Sequence, residues 1–186
     1  MEDKILCGLD EAGRGPLAGP VTAGCVILPP DFPLELLDDS KKLSEKRREI
    51  AFQEIITRCP HGVGWVWPLE IDRINIHQAS LLAMTRAYQA MGIRADEAFV
   101  DGKFTPQDLP IPARAFIKGD SLYPCISAAS ILAKVARDHW MTRYSWVEAE
   151  WAFEVHKGYP TVLHRSLLQK KGPTAIHRRT FSWKPV

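Results

Sequence analysis

The 186-residue sequence predicts an α/β fold of three layers, with helices packed on a central mixed sheet. Three observations predict it. Two short apolar runs of strand type open the chain. Runs of strand type then alternate with stretches of helical spacing. The last part reads as helices alone. Apolar residues make up 46% of the chain, enough for a substantial core, and charged residues 25%, which excludes a disordered chain or a coiled-coil rod. No repeat, low-complexity stretch or linker interrupts it. The expectation is a single domain over residues 1–186, with a basic helical C-terminal part from about residue 145 packed on it.

The first strand runs over 5–9 and ends at Asp10 and Glu11. The second covers 21–28 and is stopped by Pro29 and Pro30. A hairpin-like connection through 13–20 joins them. Ser44 is a candidate cap for a helix to about Arg58, with Glu45 in its first turn and Ala51, Phe52, Ile55 and Ile56 on its buried face. A third strand over 63–67 is closed by Pro68, and Trp65 and Trp67 read as core residues. Ala79, Leu82, Ala83, Ala87, Ala90 and Met91 keep helical spacing over 76–91, and Gly92 is a natural stop.

The fourth and fifth strands cover 97–100 and 113–117, and a proline-rich surface loop lies between them. A long helix fits 127–143, with Ile131, Leu132 and Val135 inward. Ser145 and Glu148 have the spacing of a capping box for another helix, which Gly158 and Pro160 would end. A last short helix fits from Thr161 to Gly172.

The net charge of +2 permits a polyanionic partner without announcing one, so basic clusters must be sought locally. The four cysteines form no CxxC pair, and three sit in apolar runs, which suits reduced, buried thiols. No signal-like opening and no apolar run of membrane-spanning length is present. A cytoplasmic protein is expected, with no membrane partner.

Asp10, Glu11, Asp101 and Asp120 stand apart from the other acids. Each follows a strand-like run or the turn after it, where functional groups in open α/β sheets collect. Four clustered carboxylates repel one another and call for a hard divalent cation, Mg²⁺ or Mn²⁺. No His/Cys set has the spacing for zinc. Asp10 and Glu11 are adjacent, so a regular strand sends them to opposite faces, and one site can use both only if the strand ends or bends there. On spacing alone, ordinary surface acids beside tight turns remain the competing reading.

Gly13-Arg14-Gly15 is an unhindered loop that can approach a sugar-phosphate backbone, and Ser40-Lys41 is a second candidate phosphate contact, or else the polar entry to a helix. Lys134, Arg137 and Arg143 form a basic cluster, with Asp138 placed to pair with Lys134. Arg165, Lys170, Lys171, His177, Arg178 and Arg179 make the C-terminal third basic, which suits a polyanion.

Seven motifs in order resemble the bacterial type 2 ribonuclease H family over essentially the whole chain. They are the opening stretch from Gly8 to Pro20, Asp39-Ser40-Lys41-Lys42-Leu43, Val100-Asp101-Gly102, Lys118-Gly119-Asp120, the stretch from Ala128 to Asp138, the stretch from His156 to Thr161, and His177-Arg178-Arg179-Thr180-Phe181. Ala12-Gly13-Arg14-Gly15 resembles type 2 enzymes more than type 3. The resemblance implies the RNase H-like fold with a central mixed five-stranded sheet and a monomeric endonuclease. Its substrates would be RNA–DNA hybrids and ribonucleotides embedded in duplex DNA. It further implies that Asp10, Glu11, Asp101 and Asp120 hold two Mg²⁺ or Mn²⁺ ions in the catalytic complex. Gly13, Arg14, Gly15 and Tyr159 would recognise the ribonucleotide, and Ser40, Lys41, Ser130, Lys134 and Arg137 would lie along the backbone. The competing functions are another metal-dependent nuclease of this fold, without the sugar-reading loop and tyrosine, and a non-catalytic nucleic-acid-binding protein, without need of four aligned acids.

Overall fold

A computed structural model describes residues 4–37 and 44–186. Five strands form one mixed sheet in the order β3-β2-β1-β4-β5. They are β1 (Leu6–Ala12), β2 (Val21–Val26), β3 (His61–Val66), β4 (Glu97–Asp101) and β5 (Ala113–Phe116). β1 pairs antiparallel with β2, and β2 with β3, while β1–β4 and β4–β5 are parallel. The parallel pairing of β1 with β4 requires a crossover, since parallel neighbours cannot be joined by a tight turn. The long helix α2 (Pro68–Met91) lies in that crossover. The other helices are α1 (Glu45–Arg58), α3 (Pro124–Tyr144), α4 (Phe153–His156) and α5 (Val162–Lys171).

The side-chain period of two along a strand decides the layers. Cys7 and Leu9 of β1, with Val21, Ala23 and Cys25 of β2, pack against Ala79, Ala83, Met84 and Ala87 of α2. The opposite face takes α1 and α3, with Val26 packing against Ala51, Ile55, Ala128, Ala129 and Leu132. That face is lined by small residues where α3 crosses it. A Cβ on Gly24 would stand 2.4 Å from the Ala129 carbonyl oxygen, so only glycine lets the helix come this close.

Most element assignments from the sequence hold within two or three residues. Ser44 caps α1, its Oγ accepting from the Arg47 amide at 3.3 Å, and Thr161 caps α5 through the His164 amide at 3.2 Å. Gly92 ends α2 in the left-handed conformation, φ 70°. The helix read from residue 76 continues back to Pro68, which opens α2 as well as closing β3. The two parts meet at Asn75, φ 66° and ψ 163°, whose Oδ1 accepts from the His77 and Gln78 amides and caps the second part.

Two expectations are corrected. Ser145 and Glu148 do not begin a helix. The Ser145 hydroxyl donates to the Thr142 carbonyl, and Glu148 accepts from the Tyr144 hydroxyl, so the box residues are used by the end of α3. A 3-10 turn, Ala149–Trp151, and the single turn of α4 follow instead. Trp65 and Trp67 are not core residues. Trp67 is 40% exposed, and the two rings stack on each other and extend to Trp140, covering the end of the sheet from outside.

Candidate active site

Asp10 and Glu11 belong to β1 itself, which keeps regular pairing with β2 through Ala12. The strand neither ends nor bends between them, so the condition set from the sequence for one shared site is not met by the backbone, although the two carboxylates lie close enough for the Glu11 charge to raise Asp10. Strand alternation puts Glu11 on the α2 face, in line with Cys7 and Leu9, and Asp10 on the α3 face, in line with Gly8. A third acid comes from the neighbouring strand. Leu9 pairs with Val100, so Asp10 and Asp101 stand one step beyond, at the end of a parallel pair whose strands lie about 4.8 Å apart. Asp101 Oδ1 accepts from the Gly119 amide at 2.7 Å, which ties β4 to the turn that carries the buried Asp120.

The electrostatics follow from this placement. Burial, then the charges of Glu11 and Asp101, hold the Asp10 carboxyl well above the usual carboxylate range, against hydrogen bonds from Ser130 and the Glu11 amide that favour its ionised form. Glu11 is raised by burial and partly offset by Arg14, whose guanidinium meets it at 3.2 Å. A cavity beside Glu11 is lined by Arg14, His77, Ser80, Asp101, Lys103 and Phe104. Among the described residues, no three His, Cys, Asp or Glu side chains converge tightly enough to hold an ion as they stand. The donor set still fits a hard cation. All its members are carboxylates, and the mutual repulsion at Asp10 is what a divalent ion relieves.

A second group of residues adjoins the acids. The Tyr159 ring is 37% exposed and sits beside the glycine loop, so that a Cβ on Gly15 would be 4.0 Å from it. Lys134 Nζ lies 5.5 Å from the ring centroid and pairs with Asp138 at 2.8 Å. Helix α3 therefore carries Ser130 to Asp10 and, one turn on, Lys134 to Tyr159. Arg137 is corrected. It is 0% exposed, and its guanidinium donates to the carbonyls of Pro20, Lys157 and Ala18, so it cannot reach a phosphate. Ser40 and Lys41 lie outside the described residues.

The family model for ribonuclease HII matches residues 7–184. The chain belongs to the ribonuclease HII family. It is 49% identical over 178 residues to ribonuclease HII of Marinomonas sp. (strain MWYL1), covering 95% of this chain and 89% of that protein. It is 48% identical to that of Idiomarina loihiensis, covering 96% and 95%. A solved structure of the PCNA:RNase HII complex from Archaeoglobus fulgidus matches with a TM-score of 0.75 at 26% identity, over 98% of this chain and 97% of that one. Ribonuclease H2 of Pyrococcus horikoshii matches at 0.73, also 26% identical, over 95% and 93%. These likenesses bear out the RNase H-like fold with its mixed five-stranded sheet. Ribonuclease HII is a metal-dependent endoribonuclease acting on RNA–DNA hybrids and on ribonucleotides in duplex DNA, and that is the activity of this enzyme. Family members use divalent ions.

Behind the tyrosine lies a cluster that the sequence did not join up: His156 and His177 each open a motif, and His177 read as part of a basic surface, but all three of its rings are buried. His156, His164 and His177 form a buried cluster, with the first two rings stacked 4.2 Å apart. Their partners fix the tautomers. His164 Nδ1 donates to the Tyr159 carbonyl, so its Nε2 must accept the proton of His177 Nε2, 2.9 Å away. His177 Nδ1 in turn accepts from the Thr174 amide, and His156 Nε2 donates to the Trp151 carbonyl. Every ring is satisfied only when neutral. Burial, reinforced by neighbouring cationic character, lowers His164 to about 4 and His177 to about 3.

A pH dependence follows. Unfolded histidines bind protons below about pH 6.5, whereas these rings in the folded chain do not until far lower. Their contribution is complete above pH 6.5 and is lost as pH falls toward 4 and then 3. The raised Asp10 and Glu11 act in the opposite direction and offset part of the loss. The melting temperature should be level from pH 8 to 7 and drop by roughly 5 °C or more by pH 5. Folded His177→Gln should show a flatter profile. A parent Tm independent of pH from 7 to 5 contradicts this account.

Proposed function

We propose that the enzyme hydrolyses the phosphodiester on the 5′ side of a ribonucleotide, leaving a 3′-hydroxyl and a 5′-phosphate. Asp10, Glu11, Asp101 and Asp120 would hold two ions, Mg²⁺ or Mn²⁺. When bound, the ions supply an activated hydroxide and neutralise charge on the leaving 3′-oxygen. Asp10 and Asp101, just past the last parallel pair of β1 and β4, lie nearest both roles, and Glu11 and Asp120 complete the set. Ser130 orients Asp10 from α3. Lys134 offers a cation to the backbone beside Tyr159, with Ser40 and Lys41 contacting it elsewhere. The Gly13-Arg14-Gly15 loop and Tyr159 read the 2′-hydroxyl, the constant difference between the two sugars.

The observation that carries this reading is continuity. Glu11 meets Arg14 at 3.2 Å, and Gly15 faces Tyr159, so acids and sugar-reading groups form one surface. The enzyme works as a single catalytic domain, a cytoplasmic monomer, in removing ribonucleotides from DNA during replication and repair. No helix among the described residues is long and apolar enough to cross a membrane.

The test is a DNA duplex with one embedded ribonucleotide and labels at both ends, incubated with Mg²⁺ or Mn²⁺. The expected products are a single cut on the 5′ side, a fragment extendable by polymerase from its 3′-hydroxyl, and a fragment bearing a 5′-phosphate. A cut on the 3′ side, or a 3′-phosphate terminus, would falsify the assignment.

A further inference from the structure

The loop from Gly13 to Pro20 is held by two buried guanidiniums. Arg178, 3% exposed, donates from Nη2 to the Gly13 carbonyl at 2.6 Å, from Nη1 to the Arg14 carbonyl at 2.9 Å and from Nε to the Gly19 carbonyl at 3.0 Å. Arg137 takes the carbonyls of Ala18 and Pro20 on the other side. Neither has a carboxylate within ion-pair distance among the described residues. Burying two such charges is costly, and burial pushes Arg178 down to about 9. An apolar residue in their place would leave the five loop carbonyls of Gly13, Arg14, Ala18, Gly19 and Pro20 unpaired, but why the loop turns these carbonyls inward still calls for an explanation.

Peptide geometry supplies one. In a planar trans peptide the C=O and the following N–H point in opposite directions. With the Gly13 and Arg14 carbonyls turned inward to Arg178, the amides of Arg14 and Gly15 are turned outward. Neither amide has a protein acceptor among the described residues, and the space at Gly15 is open toward the Tyr159 ring. Successive outward amides with positive charge behind them make a pocket for an oxygen acceptor. The inner side leaves no latitude. Gly13 has φ +92°, and a Cβ there would strike Arg137 Nε at 2.2 Å.

We propose that Arg178 is a positioning residue for ribonucleotide recognition: by holding the Gly13 and Arg14 carbonyls inward, it aims the Arg14 and Gly15 amides at the 2′-hydroxyl oxygen beside Tyr159. The inference rests on the reading that this loop meets the sugar. It separates Arg178 from Lys134, since Arg178 touches no nucleic acid and acts through the loop.

Arg178→Lys tests it, because lysine keeps the charge but cannot hold three carbonyls in one fixed fork. Affinities are measured without divalent ions, so that nothing is cut, for a duplex with one ribonucleotide and for the same duplex in all-DNA form. In a folded variant the preference for the ribonucleotide duplex should fall about tenfold, the worth of one hydrogen bond, with all-DNA affinity unchanged. A folded variant that keeps its preference overturns the proposal. A second measurement needs no variant. In the unmodified protein, the Arg14 and Gly15 amide protons and the Arg178 Nε–H should shift together in NMR spectra with the ribonucleotide duplex and not with all-DNA. If the amides respond but Arg178 Nε–H does not, the positioning role fails while the loop reading stands. If the amides themselves do not respond, the loop reading has failed.

Discussion

Asp10→Asn is expected to lose roughly a thousandfold or more of kcat while its melting temperature holds or rises. The substitution keeps size and one acceptor oxygen but removes the charge that attracts a divalent ion, and that charge supports about 4 kcal/mol or more of transition-state stabilisation. Stability moves the other way because Asp10 is buried and repelled by Glu11 and Asp101. Removing one of three like charges relieves the other two. Asp101→Asn should lose activity to a similar extent, and its remaining carbonyl can still accept from the Gly119 amide. The measurements are single-turnover cleavage at saturating Mg²⁺ and a melting curve for each variant. Substantial cleavage by both variants would remove these acids from the metal site. A large drop in Tm would show that their role is to hold the fold.

The second large effect concerns Tyr159. Its backbone is fixed from three directions: its amide donates to the His156 carbonyl, and its carbonyl accepts from the Thr161 amide and from His164 Nδ1. A backbone fixed this firmly sets the ring beside Gly15 and Lys134, where it can discriminate between sugars, because a site built to bond a hydroxyl penalises its absence heavily. Tyr159→Phe should lower kcat/KM on a single embedded ribonucleotide by at least about tenfold with unchanged metal affinity and Tm. Tyr159→Ala should lose more, since the ring's contact disappears as well. If Tyr159→Ala cleaves like the parent, the tyrosine does not read the sugar.

What the sequence made legible was local or periodic. Ser44 and Thr161 declare helix starts by their own hydroxyl chemistry, and Gly92 declares an end by its freedom at positive φ. Asp10 and Asp101 were recognisable because each closes an apolar strand, and parallel register then aligns them. What failed depended on partners distant in sequence. Arg137 lies one turn past Lys134 and looks like its companion, yet the carbonyls of a loop more than a hundred residues earlier draw it inside. Trp67 looks apolar and therefore interior, but its ring lies outside the core, stacked on Trp65 and tilted against Trp140. The capping spacing of Ser145 and Glu148 was present, but Tyr144 claimed the glutamate first.

Helix α3 also serves as a measuring rod. Ser130, Lys134 and Arg137 follow one stripe of it, touching in turn Asp10 of β1, the ring of Tyr159 and the inner side of the glycine loop. At 1.5 Å per residue the stripe spans about 10 Å. A helix resists stretching far better than a loop does, so the interval between the proposed metal-holding acids and the proposed sugar-reading groups is graduated along a stiff axis. A disturbance that tips α3 on the sheet carries both ends with it. The rate can then suffer while the scissile bond stays at the same count from the ribose, which makes the address of the cut sturdier than its speed.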